Sequence, residues 1–557
     1  MALSRLPALL AGVLMLSAGP VLAEEGAPPA TPQAPPVEAG IEVLPAPEPA
    51  LEPVNAAIRD MLTAEKKPAF LSARDLSGLT AFYEVRGYFP AWVAEGRLTE
   101  RAKALVRRIS EADSDGLDAS AYVLPPVMIG EDGKATPLSL AQVELLTSQA
   151  ILSYAADAEA GRVDPAKLSR DFGYKRHLPD PIQVLTAVQL ASDAPALLAE
   201  YNPPHPEFAA LRDKLAELRA SQAKAAAPVP VPEGPSLKPG MIDPRVVILR
   251  SRLELPVPSE APDVYDDAVV EAVRDFQKSA GLKPDGIVGP ASLAALNRGP
   301  VDPIPLILAN MERWRWMPRD LGHMQVRVNI PDYSLAVIRD GEVIHTTRVV
   351  VGTVKNQTPI FSDEIKHIVV NPSWNVPVSI AKNELLPAAR ANPGSLRGYE
   401  VQAKIGGRFR VVDPWSINWH QVSANQVRIR QPPSERNALG SVKFLFPNQY
   451  SVYLHDTPSK SLFQRDQRAY SHGCVRVMEP MEFADALLRE EPKLNAAQLK
   501  KRIGGKEQWL NLARPVPVHL TYFTAWVDES GVLQTRRDIY GHDTGLEEAL
   551  GIPQKAL

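Results

Sequence analysis

The chain has 557 residues, with 61 Lys and Arg against 65 Asp and Glu, and a formal net charge of −4. This balance excludes the basic excess typical of a nucleic-acid-binding protein, and the length predicts about three or four domains. The 54 prolines occur in clusters that indicate linkers, and the single cysteine excludes an internal disulfide.

The N-terminus has the pattern of an export signal. Residues 1–23 combine a basic Arg5, an apolar run and the small-residue end Val21-Leu22-Ala23, which predicts a secretory signal peptide. The apolar run is short for a membrane span of about 20 residues, although retention by an uncleaved segment stays open. Residues 24–55 are rich in Pro, Ala and Glu, which predicts a disordered linker. No later segment has the composition of a membrane span.

The next region is predicted to be helical. In residues 56–220, Ala, Leu, Glu and Arg dominate and apolar residues recur at helical spacing, which predicts a helical scaffold domain. Residues 303–323 have the same tendency and are expected to complete that domain. The Pro and Ala residues of 221–240 predict a second linker.

Residues 241–298 predict a small unit of three helices. One apolar helix face is formed by Val269, Ala272, Val273 and Phe276. Asp285-Gly286 predicts a turn, and Pro290 fits the first turn of the last helix. This pattern resembles the peptidoglycan-binding domain family of cell-wall hydrolases. A spacer bundle that binds nothing is the alternative.

From about residue 324 the pattern changes to strands. Tyr333, Leu335 and Val337 alternate before an Asp-Gly turn, and the run 451–454 ends at His455. The sequence therefore predicts a β-rich domain over 324–545. Residues 379–427 form a long insertion in it, which we expect to act as a lid over a substrate groove; an ornamental helical insertion is the alternative.

The run Ser471-His472-Gly473-Cys474-Val475-Arg476 contains the one cysteine of the chain. A thiolate is the strongest side-chain nucleophile, but a free thiol with a pKa of about 8.5 needs a nearby base or cation. His472 and His455 are both in reach, and Gly473 leaves room for N–H groups that face an oxyanion. Two alternatives stay open, a buried cysteine without a chemical task and a zinc site of Cys474 with the two histidines, although no CxxC or HExxH spacing supports zinc.

His455, the gap that follows it and the Ser-His-Gly-Cys motif with Val475 and Arg476 resemble the L,D-transpeptidase catalytic domain. The stretches 371–377, 430–440 and 443–448 resemble the same family. The order of signal peptide, helical scaffold, peptidoglycan-binding module and catalytic domain is similar to that of the large L,D-transpeptidases of Gram-negative envelopes. The resemblance implies a multi-domain α+β protein of the periplasm, with a β-rich catalytic domain, a helical scaffold domain and a three-helix peptidoglycan-binding module.

The resemblance also implies an activity. The enzyme would attack a tetrapeptide stem, release D-alanine, hold the stem as a thioester on Cys474 and form a 3→3 cross-link with a neighbouring stem. Carbapenems would acylate the same cysteine. The implied partners are peptidoglycan stem peptides and glycan strands, with other cell-wall synthases as further candidates, and no cofactor or metal is expected.

Roles for single residues follow from this resemblance. Cys474 is the expected nucleophile, and His455 rather than His472 is expected to take and return its proton. The N–H groups of Gly473 and Cys474, with His472, are expected to hold the oxyanion. The residues expected to contact substrate are Tyr453, Ser471, Arg476, Trp374 and Asn448. For Arg476, bracing the loop is an equal alternative, and Ser471 could instead orient a histidine or only shape the turn.

Two rival functions remain on the sequence alone. Water in place of the acceptor amine would give an L,D-carboxypeptidase or a wall amidase that uses the same thioester, and the choice depends on how well the site excludes water. The second is a non-catalytic peptidoglycan-binding protein. Its catalytic motif would be expected to lack one or more residues, whereas every element of the motif is present in this chain.

Overall fold

A computed structural model of the chain describes residues 52–125, 135–224, 229–298 and 302–553. The signal peptide predicted at 1–23 and most of the linker predicted at 24–55 lie outside these residues. Within the described ranges, no helix combines the length and the apolar character that crossing a membrane requires.

The N-terminal region is helical, as its composition predicts. Its helices are α1 (Pro53–Thr63), α2 (Leu76–Val85), α3 (Glu100–Ser110), α4 (Pro137–Ala160), α5 (Pro165–Leu168), α6 (Pro181–Leu190), α7 (Ala194–Ala199) and α8 (Pro206–Lys224), with a short hairpin of β1 (Val93–Ala94) and β2 (Arg97–Leu98). A cluster of buried apolar side chains that includes Tyr83, Trp92 and Leu145 forms the core of this region. α1 begins inside the predicted first linker and α8 runs into the predicted second one, so both linkers are shorter than the sequence suggests.

The small module has three helices, as predicted. They are α9 (Arg245–Arg252), α10 (Asp267–Ser279) and α11 (Pro290–Arg298), and they share a separate apolar core. The side chain of Asp266 caps the start of α10 by accepting from the Val269 N–H. The Gln277 amide accepts from the Gly286 N–H at 2.9 Å and donates to the Ile287 carbonyl at 3.0 Å, which fixes the predicted turn. The next helix along the chain is α12 (Ile304–Trp316).

The C-terminal part is rich in strands. They are β3 (Met324–Asn329), β4 (Ser334–Arg339), β5 (Glu342–Gly352), β6 (Phe361–Val370), β7 (Trp374–Asn375), β8 (Glu400–Ile405), β9 (Arg408–Val412), β10 (Val427–Gln431), β11 (Val442–Leu445), β12 (Leu454–His455), β13 (Ala469–Ser471), β14 (Val475–Val477), β15 (Gln508–Thr521), β16 (Ala525–Val527) and β17 (Leu533–Thr535). The helices among them are α13 (Val378–Ile380), α14 (Leu386–Ala391), α15 (Pro480–Leu487), α16 (Ala496–Lys500) and α17 (His542–Ala549). The prediction of a multi-domain α+β protein with a β-rich C-terminal domain is confirmed.

The main sheet has the order β13-β5-β14-β12-β11-β6-β15-β3-β4, and β4 also pairs with β5, so that the sheet folds back on itself. β12 and β14 are parallel, with Leu454 opposite Val475 and His455 opposite Arg476. Leu454 and Val475 are fully buried in the apolar core. Because successive side chains in a strand point to opposite faces, His455 and Arg476 lie on the other face of the sheet, away from that core.

The long insertion is a small subdomain rather than a loop. Its strands form a separate sheet in the order β7-β10-β8-β9, and it has an apolar core of its own that includes Leu386, Leu396 and Trp419. The insertion therefore contains strands as well as helices. It reaches slightly beyond 379–427, because β7 and β10 pair at its base.

Helix α12 connects the helical region to the main sheet. Its Arg315 donates from Nη2 to the Asp115 carbonyl at 2.6 Å, and its Arg313 forms an ion pair with Asp543 of α17 at 2.6 Å. Phe208 of α8 lies in the same apolar cluster as the sheet. Residues predicted to belong to the scaffold domain therefore also pack against the core of the main sheet. The domain boundaries stay a prediction.

Candidate active site

Cys474 lies directly before β14 and is partly exposed. Its thiol contacts the carbonyl of Ser451, with Sγ···O at 3.8 Å. Ser451 has a left-handed backbone, with φ at 57°, in the loop before β12. The Asn448 amide donates to the Phe446 and Val452 carbonyls at 2.5 and 2.8 Å, and its oxygen accepts from the Tyr450 and Val452 N–H groups at 3.0 and 3.2 Å. These bonds fix the loop that faces the sulfur.

The motif turn is held by its own hydrogen bonds. The buried Ser471 hydroxyl donates to the Cys474 carbonyl at 2.5 Å and accepts from the Gly473 N–H at 3.1 Å. Thr358 Oγ1 donates to the Gly473 carbonyl at 2.8 Å. Gly473 has φ at 111°, and a Cβ there would lie 3.3 Å from the Gln357 carbonyl oxygen. Both features require glycine, and they set the direction in which the thiol leaves the turn.

His455 is 4% exposed, and its Nδ1 lies 2.5 Å from the Asp456 carbonyl oxygen. Since a carbonyl only accepts, Nδ1 carries the hydrogen and Nε2 of the neutral ring carries the lone pair. Burial, with the positive charges of Arg476 and Lys443, lowers the pKa of His455 to about 3. The imidazole is therefore neutral at physiological pH, with Nε2 able to accept a proton.

The environment of Cys474 also favours its neutral form. Desolvation raises the pKa of the thiol to about 11, although hydrogen bonds from Tyr453 and the charges of Arg476 and Lys443 act in the opposite direction. At neutral pH the resting pair is therefore a thiol and a neutral imidazole. For this thiol to act as a nucleophile, its proton would have to leave during the attack rather than before it.

Tyr453, His455 and Lys443 pack against one another on this face of the sheet. The Tyr453 and His455 rings meet edge to face, with centroids 5.6 Å apart, and burial together with the nearby Cys474 raises the pKa of Tyr453. Lys443 is the direct cross-strand partner of His455, and its Nζ lies 5.7 Å from the centre of the Tyr453 ring and 5.5 Å from that of Trp509. The face thus combines aromatic rings, a neutral imidazole and an ammonium close to the thiol.

The insertion contacts the motif through Glu384. His472 Nε2 lies 2.6 Å from Glu384 Oε1, and the two side chains are 43% and 50% exposed. Glu384 belongs to the helical turn between α13 and α14. His472 is therefore directed at the insertion.

Three family models match the chain. The model described as "L,D-transpeptidase catalytic domain" matches residues 323–518. Residues 323–518 are therefore similar to an L,D-transpeptidase catalytic domain. The "Scaffold domain" model matches residues 77–215, and the "Putative peptidoglycan binding domain" model matches residues 249–296. The family resemblance and the predicted fold class are confirmed.

A curated relative from Haemophilus influenzae, named "Putative L,D-transpeptidase", is 37% identical over 239 residues, which are 42% of this chain. The match spans 47% of that protein, about half of its length. Among solved structures, an L,D-transpeptidase from Mycobacterium smegmatis is 14% identical and covers 36% of this chain and 58% of its own, with a TM-score of 0.18. An L,D-transpeptidase from Xylanimonas cellulosilytica is 16% identical and covers 52% and 99%, with a TM-score of 0.14. These two TM-scores are too low to support an argument about this chain.

Several of the predicted site residues lie together. Cys474 directly precedes β14 and Arg476 belongs to it. β14 pairs with β12, which carries His455 and is directly preceded by Tyr453. Arg476 is half-buried, and among the described residues its Nε has no hydrogen-bond partner. Trp374 instead lies in β7 opposite Gln431, at the base of the insertion.

Three expectations are corrected by the hydrogen bonds. Ser471 and Asn448 do not present free polar groups to a substrate, because their side chains bond to nearby backbone and shape the two loops. The Gly473 N–H is directed at Ser471 Oγ and is not free for an oxyanion. In the described part of the chain the Cys474 N–H has no protein acceptor, so it is the better candidate donor.

Sequence reasoning missed Lys443, Trp509 and Glu384 as neighbours of the site. Lys443 lies between the buried residues Val442 and Phe444 of β11, and this alternation is a signal that it points to the other face of the sheet. Across the described ranges, no group of three or more His, Cys, Asp or Glu side chains is arranged to hold a metal ion.

Proposed function

We propose that this protein is a peptidoglycan L,D-transpeptidase of the periplasm that forms 3→3 cross-links through a thioester on Cys474. The observation that carries the proposal is that the parallel strands β12 and β14 put a neutral, oriented His455 opposite Arg476, two residues after Cys474. The module that matches a peptidoglycan-binding family supports a polymeric substrate, with stem peptides and glycan strands as partners.

The first half-reaction forms the thioester. Cys474 attacks the carbonyl of the third stem residue at its L-centre while His455 Nε2 takes the thiol proton, so that a C–S bond forms and the carbonyl electrons move to oxygen. The Cys474 N–H holds this oxyanion. When the oxyanion collapses, the bond to D-alanine breaks and His455 returns its proton to the leaving amine.

The second half-reaction transfers the stem. A side-chain amine of a neighbouring diaminopimelate attacks the thioester and gives its proton to His455, and the sulfur leaves and is reprotonated. The charges of Arg476 and Lys443 disfavour a protonated His455. They therefore favour the return of the proton from the imidazole to the leaving group.

Purified muropeptides test the proposal. With tetrapeptide monomers, we expect the protein to produce dimers and free D-alanine, detected by liquid chromatography and mass spectrometry. Cys474→Ala should lose both products, while a variant of the exposed Lys501, Lys501→Ala, should keep them. Shortened monomers without dimers would show an L,D-carboxypeptidase instead, and unchanged turnover by Cys474→Ala would remove the thioester mechanism.

We also propose that the insertion caps the substrate groove. The Glu384–His472 contact supports this, because it ties the subdomain to the residue before Gly473. Exposed ion pairs are weak, so Glu384→Gln is expected to raise KM for the donor by only about two- to fivefold. The fraction of hydrolysed product should rise as well, since a looser cap admits water.

The matched control is Glu435→Gln, which removes the charge of an exposed carboxylate outside the insertion. Steady-state kinetics and the ratio of shortened monomers to dimers should be unchanged in that variant. If both readouts were also unchanged in Glu384→Gln, the contact would have no role in capping the groove.

A further inference from the structure

Lys443 lies beside the candidate active site, and the described residues offer its ammonium no ion-pair partner. Its side chain is half-buried between the rings of Tyr453 and Trp509. Within the described ranges, no carboxylate lies within ion-pair distance of its Nζ. Glu507 is the acid that acts on it electrostatically, but the carboxylate of Glu507 bonds to Ser373 Oγ at 2.5 Å and to Trp509 Nε1 at 3.2 Å.

Burying the Lys443 ammonium at this position costs free energy, and a contribution to the stability of the fold does not explain why it is there. A half-buried cation that lacks a counter-ion loses hydration, and this burial lowers the pKa of Lys443. Cation–π contact with two rings compensates in part. A negative charge that forms nearby would compensate further, and the thiolate of Cys474 is such a charge.

We infer that Lys443 is a positioning residue for the nucleophile: its ammonium, held over Tyr453 and Trp509, stabilises the Cys474 thiolate as it forms. The cross-strand pairing with His455 fixes the Lys443 backbone, and the two rings fix its ammonium. The ring of Tyr453 contacts the ammonium, and the nearby Cys474, with burial, raises the pKa of the Tyr453 hydroxyl. A cation against this ring also strengthens the hydroxyl as a hydrogen-bond donor.

Several charged or titratable groups lie on the elements around Cys474. They are Tyr453 and His455 at β12, Lys443 in β11, Arg476 in β14, and the His472–Glu384 pair at the insertion. Arg476 acts in the same direction as Lys443 on the thiolate. Removal of Lys443 alone therefore weakens the stabilisation and does not abolish it.

The inference deepens the proposed function, but its test does not need peptidoglycan. Because Cys474 is the one cysteine of the chain, alkylation by iodoacetamide reports on this sulfur alone by mass spectrometry. We expect Lys443→Met to lower the alkylation rate by about three- to tenfold between about pH 7 and 9. Loss of the ammonium raises the thiol pKa and so reduces the fraction of thiolate. The remaining thiolate is more nucleophilic, which offsets part of this loss. Lys443→Arg keeps the charge and is expected to stay within about twofold of the parent protein.

Lys501→Met is the matched control, an exposed lysine whose loss should leave the rate unchanged. In denaturant all variants should react equally, which shows that the difference arises in the folded site.

An unchanged rate in Lys443→Met, or an equal loss in Lys443→Arg, would overturn the inference. The inference would also be overturned if Lys443→Met left the alkylation rate unchanged and raised only KM for the muropeptide. The Lys443 ammonium would then bind a carboxylate of the substrate. If alkylation falls as expected but no dimers form, the inference stands and the proposed function fails.

Discussion

His455→Ala is expected to slow acylation of Cys474 by about 10²–10⁴-fold, the usual contribution of a general base. The reason is that His455 presents an unprotonated Nε2, which the bond from Nδ1 to the Asp456 carbonyl orients. His472→Ala should slow acylation by less than about tenfold, because its ring bonds to Glu384 and is not directed at the sulfur. Mass spectrometry of the acyl-enzyme, with a carbapenem and with a donor muropeptide, measures both rates.

The pH dependence separates loss of the base from misfolding. With a thiol pKa of about 11 and an imidazole pKa of about 3, the reactive thiol and neutral imidazole coexist between these values, so the parent rate should be nearly flat through neutral pH. In His455→Ala only the thiolate remains reactive, and the rate should rise with pH as the thiol ionises. Because the ring is buried, His455→Gln and a thermal melt should accompany the alanine variant. Full acylation of either His455 variant at neutral pH would remove His455 as the base.

The candidate pair of Cys474 and His455 was predicted from local information. A lone cysteine after His-Gly, with a histidine at the end of a strand, indicates this chemistry from a few residues, and the parallel pairing of β12 and β14 puts His455 opposite Arg476, two residues after Cys474. Ser471 and Asn448 were harder to assign, because the residue types that bind substrates also bond readily to their own backbone. Only the direction of each hydrogen bond separates these two roles.

Other features depend on contacts that periodicity does not reveal. The pattern of α8 predicts an apolar face, but not that Phe208 packs on the core of the catalytic sheet. Lys443 and Trp509 approach each other because β11 and β15 both pair with β6 in a particular register. The insertion was predicted as an insertion from its length, whereas its own core and its contact through Glu384 depend on tertiary packing.

The junction between the helical region and the catalytic sheet contains buried charge. Arg313 of α12 and Asp543 of α17 form an ion pair at 2.6 Å, with side chains 3% and 11% exposed. Thr524 Oγ1 contacts both groups, at 3.1 Å from Arg313 Nη1 and at 3.0 Å from Asp543 Oδ1. In the described part of the chain, Arg313 Nε and Nη2 are buried without hydrogen-bond partners. The carboxylate of Asp543 is thus the main compensation for a cation that the fold removes from water.

Asp543→Ala is expected to destabilise the catalytic region by about 3–5 kcal/mol, because it leaves Arg313 buried and uncompensated. Asp543→Asn, which keeps an oxygen acceptor for Arg313 and Thr524, should lose less. Asp485→Ala, at an exposed position on α15, is the control and should change the unfolding free energy by no more than about 0.5 kcal/mol. Urea unfolding followed by tryptophan fluorescence measures the difference, because Trp314 and Trp316 are buried on the same helix as Arg313. An Asp543→Ala protein as stable as its parent would mean that Arg313 finds water or another acceptor there, and that the ion pair does not hold α12 to the catalytic sheet.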